Sequence, residues 1–129
     1  MPILYTIDRA RCQLRTRIEG LVTVDDILAH LEAVRREQAL PFAELIDVNG
    51  AQRPFLSPAE IWRTASALEA QQLPRPVGPR AIVAQDDLVY GLTRIFTNLL
   101  SGQIPIRVFR SLETAEEWIA NRVGPLGLG

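Results

Sequence analysis

Residues 81–84 read Ala-Ile-Val-Ala and residues 106–109 read Ile-Arg-Val-Phe, and these two short runs decide the fold. Short, mainly apolar runs that are separated by helices are typical of parallel strands buried on both faces of a sheet. The segment between them, from Leu88 to Leu100, has the periodicity of an amphipathic helix. A repeated strand–helix–strand order predicts an α/β protein with a mainly parallel sheet.

The helix between these strands is the most apolar in the chain. Its apolar residues predict a core-facing stripe, beyond which Val89 and Leu100 widen the apolar arc. The predicted stripe consists of Leu88, Leu92, Ile95, Phe96 and Leu99.

The chain before residue 81 begins with two predicted strands. Ile3 to Ile7 is rich in β-forming residues, and from residue 12 to residue 18 apolar and polar side chains alternate. This alternation predicts an antiparallel strand with one covered face, so the two strands should form a hairpin. Cys12 and Leu14 would then both point inward, which makes Cys12 an inert small hydrophobe.

Further elements follow from capping signals and periodicity. Thr23 precedes an amphipathic helix whose apolar stripe runs from Val24 to Val34 and which ends before Pro41. Leu45 to Val48 is a strand that is followed by an Asn49-Gly50 turn. Ser57-Pro58-Ala59-Glu60 has the pattern of a capping box and opens the next helix. A last helix begins at Ser111. The order is therefore ββαβαβαβα: about five strands and four helices in one domain over residues 1–123, followed by a Gly/Pro-rich tail over residues 124–129.

Composition narrows the possible functions. The net charge is −1, which gives no electrostatic basis for binding nucleic acid or an anionic membrane. All 14 basic residues are arginine, so lysine-dependent chemistry such as a Schiff base or a P-loop is excluded. A single cysteine and a single histidine leave too few ligands for a zinc site, and we expect no cofactor. The start of the sequence lacks the basic and apolar pattern of a signal peptide, and no apolar run is long enough to span a membrane, so we expect a cytoplasmic protein.

Several segments together carry a resemblance to a known family. They are Tyr5 to Asp8, Leu45 to Gly50, Leu56 to Ile61, Val89 to Phe96 and Val108 to Glu113. In these segments the chain resembles the small bacterial STAS-like proteins related to the sporulation anti-sigma-factor antagonist (SpoIIAA-like), which are sometimes grouped with SEC14-type lipid-binding domains. The resemblance covers nearly the whole chain and implies a fold with a regulatory or binding role, not a reaction.

The resemblance also implies where a phosphorylated serine would lie. In the true antagonists an Asp-Ser pair follows the strand that corresponds to residues 46–50. Here Phe55-Leu56 occupies that place, and Ser57 comes one position later. Ser57 is thus a phosphosite candidate, but its place in the capping box favours a role as helix N-cap.

Three aspartates follow predicted parallel strands and raise the question of a metal site. Asp47, Asp86 and Asp87 could together hold Mg²⁺ at the sheet edge. Against this, Asp86 is also placed as the N-cap of the third helix, with Asp87 in its first turn. We therefore predict no metal site and no catalytic residue. His30 lies on the flank of its helix's apolar stripe and is expected at the boundary of the core.

Four residues are candidates for an interface or a ligand site. Tyr90 and Arg94 lie off the predicted core stripe, so Tyr90 should reach solvent or a partner. Gly91 lies inside a helix, where glycine costs about 1 kcal/mol, which suggests close approach by the sheet, a second subunit or a ligand. Trp62 lies at the edge of its own helix's stripe and could join this surface, although core packing is the simpler expectation for it.

Three functions remain open from the sequence. The first is a non-enzymatic STAS-like module that acts through protein–protein contacts, as a homodimer with Tyr90 near its interface or with a regulatory protein partner. The second is a carrier or sensor of a small apolar or lipid ligand held between the third helix and the sheet. The third is a metal-dependent phosphotransfer or hydrolase domain that uses Asp47 and Asp86.

Overall fold

Strands and helices alternate after an initial hairpin in the computed structural model, which describes residues 2–52, 56–74 and 76–123. The elements are β1 (Ile3–Asp8), β2 (Gln13–Gly20), α1 (Val24–Arg36), β3 (Ala43–Ala51), α2 (Pro58–Ala70), β4 (Arg80–Val83), α3 (Asp87–Leu100), β5 (Ile106–Phe109) and α4 (Leu112–Val123). This order confirms the predicted ββαβαβαβα. The predicted tail over residues 124–129 lies outside the described residues.

The strands form one five-stranded mixed sheet in the order β1-β2-β3-β4-β5. β1 and β2 pair antiparallel, as the alternation predicted, and the other neighbours pair parallel. Because each parallel strand lies beside the previous one, crossovers of one hand place their helices on the same side of the sheet.

The two faces of the sheet are covered unequally. On one face, α1 and α3 pack against strand residues such as Ile18, Val48 and Ile82, and α2 packs against α1 and α3. On the other face, α4 is the one helix of the described residues, and it packs Ala115 and Ile119 against the alternate residues of β3 and β4. The larger apolar core, and the site described below, therefore lie under three helices.

Two strand predictions need correction. All of β4 is buried, as predicted. β5 lies at the sheet edge and exposes Arg107, so the prediction that β5 is buried on both faces was wrong. The predicted turn at Asn49-Gly50 was also wrong, because β3 continues to Ala51. Gly50 is needed there because a Cβ atom would lie 2.8 Å from the carbonyl oxygen of Ile18, beside a register shift in β2.

The predicted core stripe of α3 was rotated from the true one. Leu88 and Ile95, expected in the core, are 54% and 46% exposed. The fully buried residues of this helix are instead Val89, Thr93, Thr97 and Leu100. The prediction counted only apolar side chains, whereas two of the positions that face the core are threonines.

The helix starts confirm the capping signals. Thr23 and Ser57 each accept a hydrogen bond from the backbone N–H three residues on, and in both cases the acid at that position bonds back. Asp86 caps α3 by accepting from the N–H of Val89 at 2.9 Å.

Candidate functional site

A cavity of about 90 Å³ lies between the sheet and the three helices that cover it. Strands β1 to β4 form its floor, and α1, α2 and α3 form its walls together with Leu56, which lies two residues before α2. Its lining is apolar except for three side chains and consists of Ile3, Thr16, Ile18, Ile27, His30, Ile46, Val48, Leu56, Ile61, Ile82, Thr93 and Phe96.

Several residues that line the cavity are only half-buried, although they lie between the sheet and the helices. Ile46 lies on the central strand beneath the helices, yet it is only half-buried, whereas its neighbour Val48 is 4% exposed. Ile27 on α1 and Phe96 on α3 are half-buried as well. Incomplete packing at these positions leaves the space between helices and sheet.

A carboxylate buried beside the cavity binds two of its three polar lining residues. Glu44 Oε2 accepts a hydrogen bond from Thr16 Oγ1 at 2.6 Å and lies 2.7 Å from His30 Nε2. The side chains of Glu44 and His30 are only 5% and 13% exposed. Because an ionised carboxylate can only accept, Nε2 of His30 donates this bond. The rings of Tyr5 and His30 pack edge to face, with centroids 5.1 Å apart and an angle of 70° between the ring planes.

An arginine completes this buried cluster. Arg80 Nε lies 3.4 Å from Glu44 Oε1, and Arg80 is 7% exposed at its side chain. Its Nη1 donates to the carbonyl oxygens of Phe42 and Gly78, at 2.6 and 2.9 Å, while Nη2 has no partner among the described residues. The guanidinium charge is thus held in place by one carboxylate and two carbonyls.

The cluster shifts the titration of both charged groups. Burial raises the pKa of Glu44, but the hydrogen bond from His30, the charge of Arg80 and the remaining contacts outweigh it and hold that pKa below its ordinary value of 4.5. Burial lowers the pKa of Arg80, and the charge of Glu44 offsets part of this effect. Glu44 is therefore ionised at neutral pH, and its charge is balanced inside the protein.

The third polar lining residue is Thr93, which is 4% exposed. Its hydroxyl is buried and has no hydrogen-bond partner among the described residues. The two other buried helical threonines bond the backbone of the preceding turn, Thr64 to Glu60 at 2.8 Å and Thr97 to Arg94 at 3.1 Å. Thr93 thus brings an unused hydrogen-bonding group to an apolar cavity.

Two of the four predicted interface residues lie together in the structure, because Tyr90 and Arg94 line one groove between α3 and β5, whereas Trp62 lies on α2. Tyr90 is half-buried, packs against the core and has the guanidinium of Arg110 over its ring at 4.8 Å. Arg94 and Gly91 are exposed, and a Cβ on Gly91 would meet nothing within 4 Å, so the sheet does not approach it. Trp62 is 62% exposed, so the expectation that it packs in the core was wrong.

The three aspartates do not converge in the structure. Asp47 lies within β3, opposite Val83, and accepts a hydrogen bond from the N–H of Asn49. Asp86 caps α3 while Asp87 pairs with Arg110. The described part of the chain holds no group of three or more acidic, histidine or cysteine residues placed to bind a metal ion.

The remaining candidates take local structural positions. The hydroxyl of Ser57 accepts a hydrogen bond from the backbone N–H of Glu60 at 3.2 Å, and the backbone N–H of Ser57 donates to the Glu60 carboxylate at 3.0 Å. These hydrogen bonds lower the pKa of Glu60. Phosphorylation of Ser57 stays a prediction. Phe55, at the place of the family's phosphoswitch, lies outside the described residues. Cys12 precedes β2 with a positive φ of 54°, so its assignment to the strand was wrong.

Sequence reasoning missed three residues of the site: Glu44, Arg80 and Thr93. A signal existed for the first, because an acidic residue stands between Ala43 and Leu45 in a run that would otherwise be apolar. The predicted strand began one residue too late to include it. No local signal distinguishes Thr93 from the threonine one turn further along the helix.

These features define an α/β protein whose five-stranded mixed sheet carries three helices on one face and one on the other. The same fold is seen in the crystal structure of an uncharacterised DUF3478-family protein with a SpoIIAA-like fold from Shewanella loihica PV-4. The two are 20% identical, with a TM-score of 0.61 over 91% of this chain and 93% of that one. The chain therefore has a SpoIIAA-like fold, as the resemblance implied.

Sequence comparisons add no function to this fold. No protein-family model matches the chain, and no curated protein matches it. Within the described residues, no helix is long and apolar enough to cross a membrane.

Proposed function

We propose that this protein is a non-enzymatic carrier or sensor of a small apolar ligand, which binds in the cavity between the sheet and helices α1, α2 and α3. The observation that carries the proposal is the apolar lining of a cavity of about 90 Å³. Protein interiors are normally packed with few spaces larger than a water molecule. Binding sites for small molecules are typically concave, mainly apolar and supplied with few polar groups.

Water is a poor occupant for this cavity. A buried water needs about 10–15 Å³ and two to four polar partners. The space suffices, but Thr16 and Nε2 of His30 already donate their hydrogens to Glu44, which leaves Thr93 as the described lining residue with a hydroxyl hydrogen to donate. Purely apolar cavities of about 150 Å³ bind benzene. A cavity of about 90 Å³ suits a smaller group, such as a short aliphatic chain.

Filling the cavity would also stabilise the protein. Apolar side chains that face unfilled space lack the contacts of a packed core, which costs folding free energy. A ligand that restores these contacts recovers part of this free energy and adds stability by mass action. Ligand binding and folding are therefore coupled.

We expect Ile46→Phe to weaken binding of n-pentane at least tenfold, because the larger side chain would occupy the space beside Ile46. Titration followed by amide chemical shifts measures the affinity, and native mass spectrometry of protein from its own host reports a retained ligand. Ile7→Phe is the matched control, since Ile7 is half-buried on β1 but does not line the cavity. The proposal fails if n-pentane shifts no cavity residue, or if both variants bind it like the unmodified protein.

A specific observation supports a second function, self-association through helices α2 and α3. Leu88 and Ile95 lie seven residues apart on one side of α3 and are exposed, as is Trp62 on the neighbouring helix. Exposed apolar side chains that lie together often mark an interface, and a two-fold dimer covers them with one patch. Because Tyr90 is half-buried against the core, we place the centre of the proposed interface at the exposed Ile95 and not at Tyr90.

We expect Ile95→Arg to convert a homodimer to monomer without unfolding it, since a charge at the centre of an apolar contact loses its hydration on association. Sedimentation velocity at high micromolar concentration measures the change. Ala120→Arg introduces the same side chain at an exposed position of α4 and should leave the dimer intact. A monomeric unmodified protein at this concentration would contradict the dimer.

A further inference from the structure

The chemistry of the cavity specifies more than an apolar occupant, because one wall carries an unused hydrogen-bonding group. Thr93 lines the cavity, is 4% exposed and leaves Oγ1 without a partner among the described residues. Burying a hydroxyl without a hydrogen bond costs about 1–3 kcal/mol by protein mutational data. A threonine in a helix usually avoids this cost by bonding a carbonyl of the preceding turn, as Thr97 does.

The neighbouring polar groups do not compete for this position. Thr16 and His30 are the other polar lining residues, and both direct a hydrogen bond to the same oxygen of Glu44. Glu44 thereby uses the hydrogens that these two groups donate, and Thr93 is the lining side chain whose hydroxyl makes no hydrogen bond to any described residue. The rest of the lining provides apolar contact alone.

The charges around the cavity indicate a neutral ligand. Among the described residues, the cavity lining contains no aspartate, glutamate or arginine, and the buried charge of Arg80 is paired with Glu44 outside the lining. A carboxylate or ammonium group brought into this space would lose its hydration without an unpaired opposite charge to replace it.

We infer that the ligand is a small, neutral, amphipathic molecule whose single hydroxyl or carbonyl group forms a hydrogen bond with Oγ1 of Thr93 while its hydrocarbon part fills the cavity. This inference rests on the proposed function. It adds the ligand's chemical class, and it assigns Thr93 as the specificity-determining residue. A hydroxyl or carbonyl can pair with Thr93, because a threonine hydroxyl both donates and accepts.

The test compares n-pentane with 1-butanol, which have the same number of non-hydrogen atoms and differ by one hydroxyl. We expect Thr93→Val to weaken 1-butanol binding roughly two- to tenfold, the worth of one net hydrogen bond, and to leave n-pentane binding unchanged or tighter. Thr97→Val is the matched control, because Thr97 is equally buried one turn along the helix but does not line the cavity. It should alter neither affinity.

The outcomes separate this inference from the proposed function. If the unmodified protein binds both probes and Thr93→Val weakens them equally or not at all, the inference fails while the cavity remains a ligand site. If butanoate binds more tightly than 1-butanol, the ligand is an anion and the inference is again wrong. If neither n-pentane nor 1-butanol binds, the proposed function fails and the inference fails with it.

Discussion

Replacing Glu44 by glutamine is expected to lower the free energy of unfolding by about 3–5 kcal/mol, the usual cost of breaking a buried ion pair by removing one partner. The substitution keeps the shape of the side chain but removes the charge that balances Arg80. Both side chains are less than a tenth exposed, so water cannot replace the lost partner. Urea denaturation followed by far-ultraviolet circular dichroism measures the loss.

A surface carboxylate provides the control for this experiment. Glu32 on α1 pairs with Arg35 at 2.7 Å, but its side chain is 43% exposed. Exposed pairs contribute about 0.2–1 kcal/mol, so Glu32→Gln should change stability by less than about 1 kcal/mol. Equal effects from the two substitutions would show that the buried cluster has no special energetic role.

A double substitution separates the charge imbalance from the loss of packing. Replacing a buried pair by apolar residues of similar volume is often neutral or stabilising, because the cost of dehydrating both charges disappears. Glu44→Leu combined with Arg80→Met should therefore be less destabilising than Glu44→Leu alone. Together with Arg80→Met alone, these variants form a double-mutant cycle. Its coupling energy measures the interaction between Glu44 and Arg80 separately from their contacts with other residues.

The same carboxylate sets a pH dependence. The pKa of Glu44 in the folded protein lies below its ordinary value of 4.5, so its ionised form contributes stability above about that pH. This contribution disappears as the pH falls through the folded pKa. Glu44→Gln cannot titrate at this position, so the difference in stability between it and the unmodified protein should narrow as the pH falls below 4.5.

Local patterns predicted most of the fold. The alternation from Leu14 to Ile18 identified the antiparallel strand, and the apolar run at residues 81–84 identified the strand that is buried on both faces. The capping signals at Thr23 and Ser57 gave the first residues of two helices. These features depend on a few neighbouring residues, so a single sequence is sufficient to read them.

The candidate site depended on contacts that a local pattern does not contain. Glu44 and His30 are 14 residues apart, and Arg80 is brought to them by the pairing of β4 with β3. The rotation of α3 decided whether Thr93 or Ile95 faced the core, and apolar residues alone gave the wrong answer. A cavity is a result of how helices pack together, so neither composition nor periodicity could have placed it.

The cavity and the charged cluster form one structural unit. Thr16 and His30 belong to both, because each lines the cavity and bonds to Glu44. Loss of Glu44 would return two polar groups to the cavity wall and make it more favourable to water. The cluster therefore maintains the apolar character on which the proposed ligand binding depends, although Glu44 does not line the cavity itself.

The second large effect is expected at Gly78, in the segment that leads into β4. A Cβ atom there would overlap the carbonyl oxygens of Pro41 and Phe42, which are backbone atoms that no side-chain rotation can move. The N–H of Gly78 donates to Leu40 at 2.8 Å, and its carbonyl accepts from Arg80 at 2.9 Å. Close packing here thus also positions the guanidinium that balances Glu44.

Gly78→Ala should accordingly destabilise the protein by about 3 kcal/mol, because the two backbone segments must separate and the contacts of Arg80 must shift. Gly91→Ala is the control, since Gly91 lies inside α3 and a Cβ there meets nothing within 4 Å. That substitution should stabilise the helix by about 0.5–1 kcal/mol. Thermal unfolding of both variants gives the comparison. A tolerated alanine at position 78 would mean that the segment before β4 can move away from Pro41 and Phe42, and the cluster around Glu44 would then not depend on this close approach.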